Sequence, residues 1–171
     1  MSKVVSCLVL SSAVLTTACS HGGGGADDCQ TFRTALSVKD RMSQAVTVFN
    51  PGEAINFELE ITNTTNAGAT LSAASSCTAV VFEVFDATQQ RRWGSADGVN
   101  CMPPLVPRTY AALETVTESQ AWDQTDSGGT RVTSGQYQVK AEVGQYASSP
   151  SAQGPVDCRA QLNRSMTFLI Q

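Results

Sequence analysis

The sequence predicts an all-β fold, a sandwich of antiparallel sheets, and three observations carry that reading. Apolar and polar residues alternate at period two in several segments, turn-forming Gly, Pro, Asn or Ser residues separate those segments, and no window of about 11 residues shows a helical apolar stripe. A chain of 171 residues with 42% hydrophobic and 15% charged residues can bury one such core, and is too mixed for a disordered or polytopic membrane protein.

The chain opens on a short positive stretch, Met1-Ser2-Lys3, followed by the uncharged apolar run Val4 to Leu15. That run is too short to span a bilayer as a mature helix and fits the apolar core of a secretory signal. Leu15-Thr16-Thr17-Ala18-Cys19 then ends small residues on a cysteine, the pattern of a bacterial lipobox with Leu displaced by one position. Residues 1–18 are expected to be a lipoprotein signal peptide. Cys19 is expected to carry diacylglycerol on its sulfur and an acyl chain, such as palmitate, on the new amino terminus, since several chains anchor more firmly than one. Residues 19–28, with the run Gly22 to Gly25, read as a flexible tether, and residues 29–171 as the folded domain. Ser20 after the lipidated cysteine favours the outer membrane by analogy with enterobacterial sorting, facing the periplasm or the cell surface.

Within the domain, Phe32 to Lys39 supplies the first strand. Asn50-Pro51-Gly52 makes a turn into the clearest one, where Ile55, Phe57, Leu59 and Ile61 alternate with Asn56, Glu58, Glu60 and Thr62. Thr78 to Asp86 is rich in β-branched and aromatic residues, with Val80, Phe82 and Val84 inward. A poorly alternating strand spans Thr115 to Trp122. Tyr137, Val139, Ala141 and Val143 alternate with Gln138, Lys140 and Glu142, and Arg159 to Ile170 is expected to close the sheet. The expected core adds Leu36, Val38, Trp122, Met166 and Phe168 to these inward residues.

The sequence has six cysteines and one histidine. With Cys7 in the signal and Cys19 on the lipid, Cys29, Cys77, Cys101 and Cys158 remain, an even set that implies paired disulfides in an oxidising compartment. Their wide spacing lacks the close pairs of zinc sites. No metal site is expected elsewhere: Asp97, Asp123 and Asp126 suggest calcium, but Asp123 to Gly128 breaks the alternating oxygen register of a calcium loop and reads as a solvated turn. No cofactor is expected. His21 sits on the tether and no Ser lies in a G-x-S-x-G context, which argues against a hydrolase. Eleven Lys and Arg against 15 Asp and Glu, with the basic residues scattered, leave no footprint for nucleic acid.

Taken in order, Pro51-Gly52-Glu53, the alternating strand with Thr62-Asn63-Thr64, Phe82-Glu83-Val84 leading to Arg92-Trp93, Ala121-Trp122-Asp123-Gln124 with Gly128 and Gly135, and Tyr137-Gln138-Val139 resemble the BsuPI-type intracellular proteinase inhibitor domain, over about Phe49 to Val143. The resemblance implies an immunoglobulin-like antiparallel β-sandwich. It also implies a first strand parallel to the last, hence a Cys29 to Cys158 bridge, and leaves Cys77 to Cys101 as the second. Export and the four cysteines depart from the family's intracellular founders.

Protease inhibition is the activity the resemblance implies, for a domain that is not an enzyme and binds a protein partner from its lipid anchor, with a protease as the partner the resemblance implies. Met102, Pro103 and Pro104 form the candidate inhibitory or binding loop, because two prolines and a disulfide would hold it rigid; the same prolines could simply carry the chain across the sandwich edge. Trp93, beside Arg91 and Arg92, is the candidate partner-facing aromatic. The alternatives are an accessory lipoprotein for envelope structure or adhesion, without inhibitory activity, and carbohydrate binding through Trp93.

Overall fold

The computed structural model describes residues 29–73, 80–100, 106–143, 145–147 and 156–171. Among the described residues, twelve strands form three sheets: β1 (Phe32–Lys39), β2 (Val48–Phe49), β3 (Ile55–Asn63), β4 (Ala69–Ala73), β5 (Val80–Asp86), β6 (Arg91–Gly94), β7 (Val106–Tyr110), β8 (Thr115–Trp122), β9 (Gly135–Val143), β10 (Gln145–Ala147), β11 (Val156–Asp157) and β12 (Arg164–Ile170). The orders are β1-β3-β8, β2-β12-β9-β5-β6 and a small β11-β10-β4-β7. All pairings are antiparallel except β2 with β12. This is an immunoglobulin-like antiparallel β-sandwich.

The first two sheets face each other because the alternating strands bury their apolar sides between them. Ile55, Phe57, Leu59 and Ile61 from one sheet, and Val80, Phe82, Val84, Val139, Val143 and Phe168 from the other, are buried. Phe57 sits at the centre, its ring within about 6 Å of those of Phe82, Trp93, Trp122 and Phe168. Leu36 and Met166, expected inside, are only partly buried against this core, whereas Phe49, Leu71 and Tyr110 join it from segments with no clear alternation and Ile170 extends the Phe168 face of β12. Tyr137, the third residue of β9, donates its hydroxyl to the Thr133 carbonyl four residues upstream at 2.6 Å, the tyrosine corner of immunoglobulin-like sandwiches.

Two expectations need correction. Arg159 to Ile170 is not one strand: Arg159–Leu162 is a single helical turn, α1, and the strand begins at Arg164. Leu162 N–H bonds the Cys158 carbonyl and Thr34 Oγ1 donates to the Leu162 carbonyl, so the turn plugs the end of the sandwich with a buried leucine. The last strand's parallel neighbour is β2, through Leu169 with Val48 and Ile170 with Phe49, while β1 lies in the opposite sheet. The Cys29 to Cys158 bridge is nonetheless present, with both sulfurs buried, because the start of β1 and the turn before β12 meet at the same end. Cys77 and Cys101 lie outside the described residues, as do Cys7, Cys19 and His21.

Candidate functional site

The registers place the connections at two ends. Phe32 opposite Asn63, Val80 opposite Val143 and Arg164 opposite Ala141 mark the disulfide end. Lys39 opposite Asn56, Ile55 opposite Trp122 and Asp86 opposite Tyr137 mark the other, where the Asp40–Gln44, Asn50–Glu53, Asp86–Gln90 and Asp123–Ser134 connections gather.

Aspartates fix most of these turns from within. The Asp40 carboxylate accepts the Met42 and Gln44 N–H groups, that of Asp86 accepts Thr88 and Gln90 N–H, that of Asp123 accepts Thr125 N–H, and that of Asp126 accepts Gly128 and Thr130 N–H. A short carboxylate bonding the backbone two and four residues ahead is the side-chain mimic of a turn. The Thr88 hydroxyl, helped by Gln90 N–H and Arg92, holds the Asp86 carboxyl at a pKa of about 2. The Thr125 hydroxyl likewise lowers that of Asp123. These aspartates are spent on their own turns, and among the described residues no three His, Cys, Asp or Glu groups converge as a metal site.

Gln124 ties two of these connections together. It is fully buried at φ +64°, its Oε1 accepts Gly52 N–H at 2.6 Å, and its Nε2 donates to the Asn50 and Glu53 carbonyls. Trp122 Nε1 donates to the Thr125 carbonyl, which satisfies the one polar atom of a buried indole. In the sequence Gln124 stands out only as part of the Ala121-Trp122-Asp123-Gln124 motif, and its role as a tie is not legible there, since a single polar residue after a strand carries no periodic signal.

The connection after β6 is braced differently. The Asp97 carboxylate receives Arg91 Nη2 at 2.5 Å, the Gly94 N–H at 2.9 Å and the Ser127 hydroxyl at 2.5 Å. Arg91 is the chief cause that lowers the Asp97 pKa. Arg91 Nε also bonds Glu83, and Ser127 N–H bonds the Arg92 carbonyl, so the Asp123–Ser134 connection is laced along β6. From this base the chain leaves through Val99, 52% exposed, and returns through Val106, 42% exposed. Met102, Pro103 and Pro104, the candidate loop between them, lie outside the described residues. Trp93 does not stand free: its half-buried ring packs on Phe57 and Trp122, with both centroid separations 6.2 Å.

A shallow cleft lined by Asp86, Arg92, Asp126, Arg131 and Tyr137 separates the Asp86 turn from the Asp123–Ser134 connection. Asp86 and Arg92 form an ion pair within it. What this end offers chemically is a set of stiff connections. No helix among the described residues is long and apolar enough to cross a membrane.

A family model described as BsuPI, intracellular proteinase inhibitor, matches residues 42–147. No curated protein matches the chain. Similar solved structures include the Pseudomonas fluorescens alkylpurine DNA glycosylase AlkC bound to DNA, at 14% identity over 82% of this chain and 30% of that one, with TM-score 0.44. The C-terminal domain of wzt matches at 9% identity over 82% of this chain and 74% of that one, with TM-score 0.47. A CARDB domain from Pyrococcus furiosus matches at 9% identity, covering 83% and 90%, with TM-score 0.40. The chain thus spans under a third of the glycosylase, and these likenesses bear on no activity.

Proposed function

The chain belongs to the BsuPI family of intracellular proteinase inhibitors, and on that footing we propose that it is a non-enzymatic, lipid-anchored envelope protein whose sandwich binds and inhibits a protease. The observation that carries the reading is the braced base of the β6 to β7 connection. Arg91, Gly94 and Ser127 converge on Asp97, and exposed Val99 and Val106 flank the Met102-Pro103-Pro104 segment. A protein inhibitor works by presenting a segment whose ordering cost the scaffold has already met, and exposed apolar residues at its flanks would bury against the partner.

Lipid on Cys19 would bring the chain to the domain at Cys29, on the disulfide end, so the stiff turns would face away from the membrane, in the periplasm or at the cell surface. The family description says intracellular, whereas the Val4 to Leu15 run and the small residues before Cys19 favour export. Metabolic labelling with a palmitate analogue tests the anchor: wild type should be labelled and Cys19→Ala should not.

A screen of serine proteases against the purified chain tests the inhibitory reading. Dose-dependent inhibition of at least one enzyme is expected. No inhibition across the panel would leave the accessory reading, an envelope or adhesion lipoprotein of the same fold.

A further inference from the structure

We propose that the open edge of β8 is a docking site for an extended, basic segment of a partner protein, which adds to the sheet as a further strand. The inference deepens the protein-binding reading above and rests on it only for the presence of a partner.

The edges of the sheets are not alike. The β2 and β11 edges are two residues long, and β7 carries Pro107, a residue suited to an edge because it offers no N–H. Along β6, Ser127 N–H occupies the Arg92 carbonyl. Along β1, Arg164 Nε bonds the Thr34 carbonyl and Val46 N–H bonds that of Val38. β8 is different: eight residues in unbroken register with β3, from Thr115 opposite Thr62 to Trp122 opposite Ile55.

The register fixes which groups point outward. Asn63 N–H bonds the Glu114 carbonyl, so by antiparallel alternation Val116, Glu118, Gln120 and Trp122 bond β3, while Thr115, Thr117, Ser119 and Ala121 aim their N–H and C=O groups away. Among the described residues, the one bond to these outward groups is from the Gln120 side chain to the Ala121 carbonyl. The four outward residues are exposed and small, with no lysine, proline or bulge to deter pairing, and the one acidic residue of the strand, Glu118, is held by Arg108. The occupant's charge follows from the next strand. Glu60 lies directly behind Thr117, exposed and without an ion-pair partner among the described residues. A side chain opposite Thr117 on an added strand would stand two strand spacings from it, roughly 10 Å, within reach of lysine or arginine. Bulky β-branched residues would fill the space beside the small ones.

The test is amide hydrogen exchange on the full chain with a blocked octapeptide of alternating valine and lysine. Exchange at Thr117 and Ser119 should slow by about tenfold or more, with Val116 and Glu118, already bonded to β3, unchanged. Ser119→Pro should abolish the slowing at Thr117 while leaving the melting temperature within a few degrees. A valine and glutamate peptide should fail. No slowing with the lysine peptide, equal slowing with the glutamate peptide, or slowing that grows with protein concentration alone, which would mean a second copy occupies the edge, would each overturn the proposal. Peptide protection in a chain that inhibits no protease would support the edge and contradict the inhibitor reading; inhibition without protection would do the reverse.

Discussion

The side-chain amide of Gln124 closes onto the backbone of Gly52, accepting its N–H at 2.6 Å while donating to Asn50 and Glu53 on either side. Two separated segments of this chain, Pro51-Gly52-Glu53 and Trp122-Asp123-Gln124, are therefore one structural unit. Removing the amide leaves the Gly52 N–H and the Glu53 carbonyl without this partner, while the Asn50 carbonyl keeps the Glu53 N–H, and it empties a fully buried side-chain position. Gln124→Ala is expected to destabilise the domain by roughly 3 kcal/mol in urea unfolding; a loss below about 1 kcal/mol would mean that water replaces the amide.

Gly52 adds a second test of the same unit. Its φ is +77°, and an added Cβ would meet the guanidinium of Arg131 at 1.9 Å. The guanidinium is the far end of a flexible side chain and can swing away, so the lasting cost of Gly52→Ala is backbone strain of about 1 kcal/mol. Adding Arg131→Ala should then recover almost nothing. Full rescue by the second substitution would place the cost in the clash instead.

Tyr110 carries a prediction of the opposite sign. Its hydroxyl is buried without a hydrogen-bond partner among the described residues, beneath the edge of Phe32. Tyr110→Phe deletes an unsatisfied group and keeps the packing, so stability should hold or rise by about 1 kcal/mol. Burial also raises the Tyr110 pKa above its ordinary 10.0. Its contribution is intact below that pH and declines as pH climbs from there toward the folded value, where only the unfolded phenol ionises. The variant should lose less stability than wild type in that alkaline window.

Acid should act on the turns. With Asp86 at about 2 in the folded state against 3.8 ordinarily, its share of stability is present above 3.8 and is lost as pH falls through about 2. Carboxyl titration by NMR should find the low midpoint, and Thr88→Ala should move it upward, because the threonine hydroxyl is its main support. An unmoved midpoint would assign the shift to Arg92 or the backbone.

The bridge between Cys29 and Cys158 spans 129 positions. Closing so long a loop restricts the unfolded chain, and the Cys29→Ala, Cys158→Ala double variant should lose roughly 3 to 5 kcal/mol. Peptide mapping that joined Cys29 to Cys77 would contradict the pairing.

Much of this architecture was legible because half-buried strands print their two faces on the sequence. β1 and β8 have the boundaries the pattern gives, although β8 alternates poorly, since its partner β3 supplies the order. What escaped was whatever lacks a period. α1 is a single turn, too short for a stripe, and β4, β6 and β7 are short segments whose buried members, Leu71 and Tyr110 among them, stand nearly alone. At the candidate site the aspartate turns could be read from composition. The convergence of Arg91, Asp97 and Ser127 could not, because it joins residues from two connections through contacts only the fold creates.

The central claim, that the segment beside this brace is inhibitory, is tested most directly by comparing wild type with Met102→Asp against a protease the wild type inhibits. The variant should keep its melting temperature within a few degrees and lose inhibition by about a hundredfold or more, as removal of a binding anchor does. Inhibition unchanged in a folded variant would contradict it.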